Sequence, residues 1–431
     1  MPWWGWVGLI AAVIGILSAI DTWLLPRPIL RPLILRLFGE DENTSEKALK
    51  NSRSEGITLQ LPPPPPGMTH AEIKLTIDYV DGLPQAPPEI RDSFNEGRKL
   101  QRDYKYREAI NQYESCFQPE TTKSQRTALH ILIGNCFLSL SELEEAEGHY
   151  RQAEKAAKEV DGREGLAAAL GNIGVIYQTK GELNKALDNH QQSLNINRGI
   201  GRKEGEASDL GNIGLIYRKK GELDRALDYH QQSLNIEREI GKKEGEASQL
   251  GNMGLIYRIK GELDMALDYH QQALSINREV GRKEGEASQL GNIGLMYQIK
   301  GELDKAFDYH QQSLNINREI GRKKGEANQL GNIGVIYQTK GDLDKALDYY
   351  QQSLDINREI GMKEGEANQL SNIGLIYYLK GEPDGTLEYL EKGLKIFKEI
   401  GATLEIERIE RNIQVIVENM ESSRGQKSDA I

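Results

Sequence analysis

The sequence has few of the residues that support disulfide-rich or nucleic-acid-binding folds. Only Cys116 and Cys136 are cysteines, which is too few for a disulfide framework and fits a reducing compartment. The formal net charge of −11 argues against nucleic acid as a partner, because such binders normally have a basic surface for phosphates. Aromatic residues make up 6% of the chain, so Leu, Ile, Ala and Tyr must build most of the core.

The sequence also lacks the motifs of common enzymes. It contains no Walker loop, no HExxH, no paired CxxC and no GxSxG motif. Asp228, Tyr229 and His230 are residue types found in catalytic triads, but consecutive helix residues point in different directions. We therefore expect no enzyme activity, no catalytic residues, no cofactor, no metal and no small-molecule substrate.

All the tryptophans lie in one apolar run near the N-terminus. Residues 3–25 contain a single charge, Asp21, and as a helix these 23 residues would span roughly 34 Å, enough to cross a membrane. Three arginines follow the run and no Lys or Arg precedes it, which by the positive-inside rule places the N-terminus outside and the remainder in the cytoplasm. Residues 1–38 are thus predicted to be a transmembrane anchor with a juxtamembrane segment. Its interfacial residues are Trp3, Trp4, Trp6, Trp23, Arg27, Arg31 and Arg36.

Residues 39–91 are polar and rich in proline, as in a linker. The run Pro62–Pro66 favours a stiff polyproline II spacer, with a ligand for an SH3- or WW-like domain as the alternative. Apolar residues alternate with polar ones at 57–61 and 73–79, so the linker could also contain a small hairpin.

The rest of the chain repeats with a period of 40 residues. Near copies of one string start at Gly171, Gly211, Gly251, Gly291, Gly331 and Ser371, and residues 241–280 and 281–320 are identical at 31 of 40 positions. More diverged copies surround Gly97 and Gly134, which gives eight repeats over residues 92–400. A repeat that recurs so closely predicts a stack of identical structural units.

Each repeat has the pattern of two helices. Leu210, Ile213, Gly214 and Tyr217 recur at i, i+3, i+4 and i+7 and predict a first helix, A. A second apolar stripe predicts helix B, with Gly221 in the turn between them. Its members are Leu223, Ala226, Leu227, His230, Ser233 and Leu234.

These small and aromatic positions resemble the tetratricopeptide repeat (TPR). The 40-residue unit is most similar to repeats of the Pins/LGN cell-polarity scaffolds, and secondarily to those of kinesin light chains. The resemblance implies an all-α fold, a right-handed solenoid whose concave groove binds a peptide. Residues 401–420 are predicted to form a capping helix, and residues 421–431 a disordered tail. An asparagine frequent in that family is replaced here by Val175, Leu215, Leu255, Leu295, Val335 and Leu375.

The resemblance also implies a row of groove-facing asparagines. An amide both donates and accepts, so it can bind a peptide backbone without selecting its side chains. Around this row we expect Leu215, Leu255 and Leu295, and a basic patch of Arg218, Lys219 and Arg258 that favours an acidic stretch in the ligand. Copying by duplication is the alternative explanation for the row itself, which comprises Asn172, Asn212, Asn252, Asn292, Asn332 and Asn372.

Histidine recurs in helix B at His190, His230, His270 and His310. Distance argues against a metal ladder along these repeats, because packed helices lie about 8–10 Å apart and zinc needs nitrogens about 2 Å from the ion. Tyr150 and Tyr350 occupy the same position in other repeats, which favours a role in core packing.

These features predict a membrane-anchored scaffold or adaptor that binds a protein or peptide in its groove. The alternative is an assembly factor that packs on integral membrane subunits or on other copies of itself.

Overall fold

The computed structural model describes residues 88–119 and 121–428, with side chains given up to residue 418 except at Pro88, Glu89, Pro383 and Asp384. The predicted anchor and almost all of the predicted linker lie outside this range. Among the described residues there are 17 helices and no strand, which confirms the all-α prediction. No helix in this part of the chain is long and apolar enough to cross a membrane.

Sixteen of these helices form hairpins of the predicted kind. The A helices are α1 (Pro88–Arg102), α3 (Lys123–Ser139), α5 (Arg163–Thr179), α7 (Lys203–Lys219), α9 (Lys243–Lys260), α11 (Lys283–Ile299), α13 (Lys323–Thr339) and α15 (Lys363–Lys380). The B helices are α2 (Tyr106–Ser115), α4 (Leu143–Lys158), α6 (Leu183–Gly199), α8 (Leu223–Glu239), α10 (Leu263–Glu279), α12 (Leu303–Glu319), α14 (Leu343–Glu359) and α16 (Pro383–Glu399). The last helix is α17 (Thr403–Ser428).

The described residues form two compact units, 88–289 and 290–428, with the boundary inside α11. Within each unit an A helix packs on its own B helix, and that B helix packs on the next A helix. In the 88–289 unit α3, α5, α7 and α9 also contact one another in succession. The solvent-facing sides of the A helices thus share one surface in each unit, which we call its A face.

The turns explain why glycine recurs between the helices. Gly221, between α7 and α8, has a φ of 79°, and Gly241, between α8 and α9, has a φ of 71°. This left-handed conformation costs glycine little, because it has no Cβ. The diverged repeats adopt it with other residues, Tyr104, Ser141 and Asp161.

An Arg–Glu ion pair recurs across the turn between successive repeats at five places. The Nε of Arg238 at the end of α8 lies 2.7 Å from the Oε1 of Glu246 in the first turns of α9, and the same pair forms between Arg318 and Glu326 at 2.8 Å. A carboxylate near a helix N-terminus and a cation near a C-terminus both complement the helix dipoles. The pair therefore helps to fix the angle between successive hairpins.

In seven of the eight hairpins the helices meet where a glycine on helix A faces a ring on helix B, and in the eighth Gly374 faces Leu390. A Cβ built on Gly214 would lie 2.8 Å from the imidazole of His230, and one on Gly334 would lie 2.6 Å from the ring of Tyr350. His190, His230, His270 and His310 are all fully buried. The structure therefore assigns these histidines to the core.

Both ends of the described region differ from the expected bounds. Helix α1 begins at Pro88, inside the segment predicted as linker, because proline is well suited to the first turn of a helix. Helix α17 packs on α16 through buried Ile409 and Ile416 and continues to Ser428, past the predicted end at residue 420.

Candidate peptide-binding face

The predicted asparagine row divides into buried and accessible members. Asn172 and Asn212 are 1% and 3% exposed, whereas Asn252, Asn292, Asn332 and Asn372 are half-buried. The first two therefore offer no surface to a ligand in this structure. The direct packing of successive A helices explains this difference from expectation, since the Nδ2 of Asn172 donates to the Oδ1 of Asn135 on α3 at 3.4 Å.

Three accessible asparagines belong to the 290–428 unit. Asn372 donates from Nδ2 to the Oε1 of Gln369 at 3.3 Å. The side chains of Asn292 and Asn332 form no hydrogen bond with other described residues, although each lies half-buried in a row of uncharged neighbours. Both amides therefore retain their full capacity to donate and accept.

The expected exposed basic patch is not formed by its arginines. Arg218 and Arg258 are only 6% and 9% exposed, and Lys219 alone is exposed. Their guanidinium groups lie near the buried rings of helix B. Burial lowers the pKa of His230 to about 4, and the positive charge of Arg218 contributes to that lowering. The hydrocarbon part of an arginine side chain packs well against apolar surface.

The apolar residues beside the asparagine row also differ in how far they are exposed. Leu215 and Leu255 are half-buried, while Leu295 is buried. Val335 and Leu375, the equivalent residues in the 290–428 unit, are half-buried. The A face of this unit therefore combines accessible amides with accessible aliphatic groups.

The A helices of the 290–428 unit have long stretches without a charged residue. Residues 327–339 of α13 and 367–379 of α15 contain no Asp, Glu, Lys or Arg, in a chain that is 28% charged. Between the asparagines, the solvent-facing positions carry Gln338, Thr339, Tyr378 and Leu379. In the 88–289 unit, residues 167–179 of α5 are uncharged too, but Asn172 is buried there. The equivalent stretch of α7 contains Asp209, Arg218 and Lys219.

Sequence reasoning missed the glutamines that bind the buried histidines. The Nδ1 atoms of His230, His270 and His310 lie 2.8 Å from the Oε1 atoms of Gln249, Gln289 and Gln329, each on the next A helix. His190 instead lies 3.3 Å from the Oδ1 of Asp209. The constant spacing of 19 residues between these partners was the available signal.

Residues that could carry chemistry do not gather at one place. Among residues 88–119 and 121–428, no group of three or more His, Cys, Asp or Glu side chains is arranged to hold a metal ion. Cys116 and Cys136 are both buried, and burial raises the pKa of the Cys116 thiol to about 11. A thiol that stays protonated is a poor nucleophile and a poor metal ligand.

The family comparison agrees with this architecture. The sequence profile of the tetratricopeptide repeat matches residues 124–199, 206–279 and 285–359, which is more than half of the chain. The chain belongs to the tetratricopeptide repeat family. This confirms the family predicted from the 40-residue pattern, and TPR proteins typically act as scaffolds for interactions with other proteins. No curated protein sequence matches the TPR chain significantly.

Solved structures with the same fold differ widely in sequence. One is a signal transduction ATPase with numerous domains from Pyrococcus horikoshii, which has a tetratricopeptide repeat sensor. It is 17% identical to this TPR chain, with a TM-score of 0.57, and the match covers 79% of this chain and 55% of the other. The apo form of RapI is 16% identical over 64% and 99% of the two chains, with a TM-score of 0.53. A Rap protein complexed with competence and sporulation factor is 16% identical over 81% and 92%, with a TM-score of 0.50.

Proposed function

We propose that the protein is a membrane-tethered adaptor whose A face in the 290–428 unit captures an extended segment of a partner protein. The observation that carries this proposal is the uncharged A face with half-buried Asn292, Asn332 and Asn372. A solvated helix surface normally contains charged residues, and their absence favours contact with another chain. The Rap protein solved with competence and sporulation factor is a precedent for ligand binding by this fold.

The spacing of the asparagines suits an extended ligand. Neighbouring A helices of a TPR stack lie about 10 Å apart, and an extended chain advances about 3.3 Å per residue. One amide then meets every third residue of the ligand. Asn292, Asn332 and Asn372 would bind the backbone of a segment of roughly seven residues.

The neighbouring side chains select against charge in that segment. A charged group placed against Val335, Leu375 or Leu379 would lose hydration without gaining an ion pair, which is unfavourable. We therefore propose an uncharged, partly apolar segment as the ligand of this unit. The acidic stretch expected from the sequence has weaker support, because Arg218 and Arg258 are buried.

The tether proposal depends on the sequence of residues 1–38, which lie outside the described residues. We expect the full chain to remain in the membrane fraction after a high-salt wash, and a chain that starts at residue 39 to move to the supernatant. Sedimentation of both chains after a high-salt wash tests this. If the shortened chain still sediments with membranes, the tether lies elsewhere.

Site-specific photo-crosslinking tests the binding face. A photoreactive amino acid placed at Thr339, exposed on α13, should crosslink the full chain in its native membranes to one partner. The matched control places it at Asn315, which is exposed on α12, a B helix. A defined product from position 339 alone supports the proposal. Equal products from both positions, or products containing only this chain, would favour the assembly alternative.

A further inference from the structure

We propose that His130 and His149 form a binding site for a divalent transition-metal ion such as Zn²⁺, Cu²⁺ or Ni²⁺. The two imidazoles extend from α3 and α4 of the second hairpin, and their Nδ1 atoms lie 3.1 Å apart. Both side chains are half-buried, so an ion from solvent can reach them. The site lies in the 88–289 unit and is independent of the proposed binding face.

The distance between the nitrogens fits a shared ion. Zinc binds imidazole at about 2.0–2.1 Å with tetrahedral angles, which separates two nitrogen ligands by roughly 3.3 Å. The observed 3.1 Å requires only a small adjustment. In the metal-free protein the same distance corresponds to one hydrogen bond, with one Nδ1 donating and the other accepting. Metal binding requires that the proton move to the Nε2 of the donor ring and that both rings turn until their Nδ1 lone pairs converge on the ion.

Neighbouring aromatic rings hold both imidazoles in place. The ring of Phe117 packs on His130 at 4.8 Å, and that of Phe137 packs on His149 at 5.4 Å. Imidazoles that are already oriented lose less conformational freedom when they bind an ion.

Among the eight described hairpins, that of α3 and α4 alone has histidine at both positions. In the hairpin of α7 and α8 the equivalent positions hold Leu210 and Tyr229, and in that of α11 and α12 they hold Leu290 and Tyr309. Both positions thus differ from the common residues in the same hairpin, and the differing residues face each other. Packing alone does not require two imidazoles there, since the five hairpins from α7–α8 to α15–α16 have Leu and Tyr at these positions and the hairpin of α5 and α6 has Leu170 and Asn189.

The ligand set predicts the type and strength of binding. Two nitrogens from the protein favour a borderline ion over Mg²⁺ or Ca²⁺, which prefer oxygen ligands. Among the described residues, no third His, Cys, Asp or Glu side chain is arranged with the pair to hold the ion. Water would fill the remaining positions, so we expect weaker binding than at a closed four-ligand structural site.

Calorimetric titration of the full chain in detergent with ZnCl₂, and separately with CuCl₂, tests the site. The variant His130→Leu/His149→Tyr introduces the residues of the other hairpins, so it should fold normally. Because loss of an outer partner alone typically weakens a metal site 10–100-fold, removal of both ligands should weaken binding at least tenfold. The control His310→Tyr removes a buried histidine and should leave binding unchanged.

Two results would overturn the proposal. The first is equal affinity of the wild type and the double variant for both ions. The second is a Cu²⁺ complex whose electron paramagnetic resonance spectrum lacks the nitrogen couplings of two imidazoles. Either result would show that His130 and His149 form a hydrogen-bonded pair only.

Discussion

The interior of each hairpin and the A face of the 290–428 unit both repeat along the chain, but for different physical reasons. Inside the hairpin, glycine must remain because a Cβ on Gly134 would lie 2.6 Å from the ring of Tyr150. On the A face, Asn292 and Asn332 are half-buried and have no partner among the described residues. Packing therefore accounts for the first repetition and leaves the second unexplained.

The buried ring on helix B, which faces the glycine, can be either tyrosine or histidine. Where the ring is tyrosine, the hydroxyl of Tyr350 donates to the Oε1 of Gln338 at 2.7 Å. Where it is histidine, the Nδ1 of His310 lies 2.8 Å from the Oε1 of Gln329 on the next A helix. The size of the ring is fixed by the facing glycine, whereas its hydrogen-bond partner varies. A polar group on the A face has no comparable packing constraint.

The largest expected effect is loss of stability in acid. Burial lowers the pKa values of His230, His270 and His310 from 6.5 to about 4. Between these values the unfolded chain binds more protons than the folded chain, so stability present above pH 6.5 is lost as the pH falls towards 4. Each histidine contributes up to about 3 kcal/mol. Unfolding measured from pH 7 to 5 should show this slope, and His310→Tyr should reduce it; an unchanged slope would contradict the assignment.

A single carboxylate should give the opposite pH dependence. Glu237 occupies the position of Asn277 and Asn317, is 8% exposed, and has a pKa raised to about 7, mainly by burial. The folded chain binds the extra proton, so this contribution to stability is greatest at low pH and is lost as the pH rises from 4.5 to 7. The loss amounts to up to about 3 kcal/mol.

The variant Glu237→Asn tests this contribution. Asparagine should bond to the backbone of Ser233, as Asn317 does to Ser313 at 2.8 Å. We expect the variant to be more stable than the wild type at pH 8 in urea unfolding, with a smaller difference at pH 5. A variant that is equally or less stable at pH 8 would show that ionisation of Glu237 does not destabilise the folded chain.

Two glycines of one hairpin should respond with opposite signs to the same substitution. Gly134→Ala forces a methyl group against the buried ring of Tyr150 and should destabilise by about 1–3 kcal/mol. A Cβ on Gly148, on α4, would meet no neighbouring atom within 4 Å, so Gly148→Ala should stabilise by about 0.5–1 kcal/mol. Urea unfolding monitored by circular dichroism gives the free energy of unfolding of both variants. Changes of the same sign would contradict the close approach of α3 and α4 at Gly134.

The smallest effect on stability is expected at the A face. Asn332→Ala removes a half-buried amide with no described partner, so the free energy of unfolding should change by no more than about 0.5 kcal/mol. Asn315→Ala, on the exposed side of α12, is the matched control. A thermal melt shows whether the two variants behave alike. A large loss of melting temperature for Asn332→Ala alone would mean that the row holds the helices together.

Periodicity made the hairpins predictable, because the stripe of Leu210, Ile213 and Tyr217 can be buried on one side only by a helix. It could not separate Asn212 from Asn252, since the residues around them are almost identical. Their exposure depends on how closely neighbouring repeats pack, which no short pattern encodes. The burial of Arg218 could not be predicted from the sequence either, because a long side chain can extend into solvent or lie along the helix surface.

The most direct test of the account compares affinities at the A face. The partner segment identified by crosslinking at position 339 is titrated calorimetrically into the wild type, Asn292→Ala/Asn332→Ala and the control Asn315→Ala. Two lost backbone contacts, each worth about 0.5–1.5 kcal/mol, predict a roughly five- to hundredfold weaker affinity for the double variant. The control should bind as the wild type does. Equal affinity of the double variant and the wild type would contradict the proposed role of the asparagines.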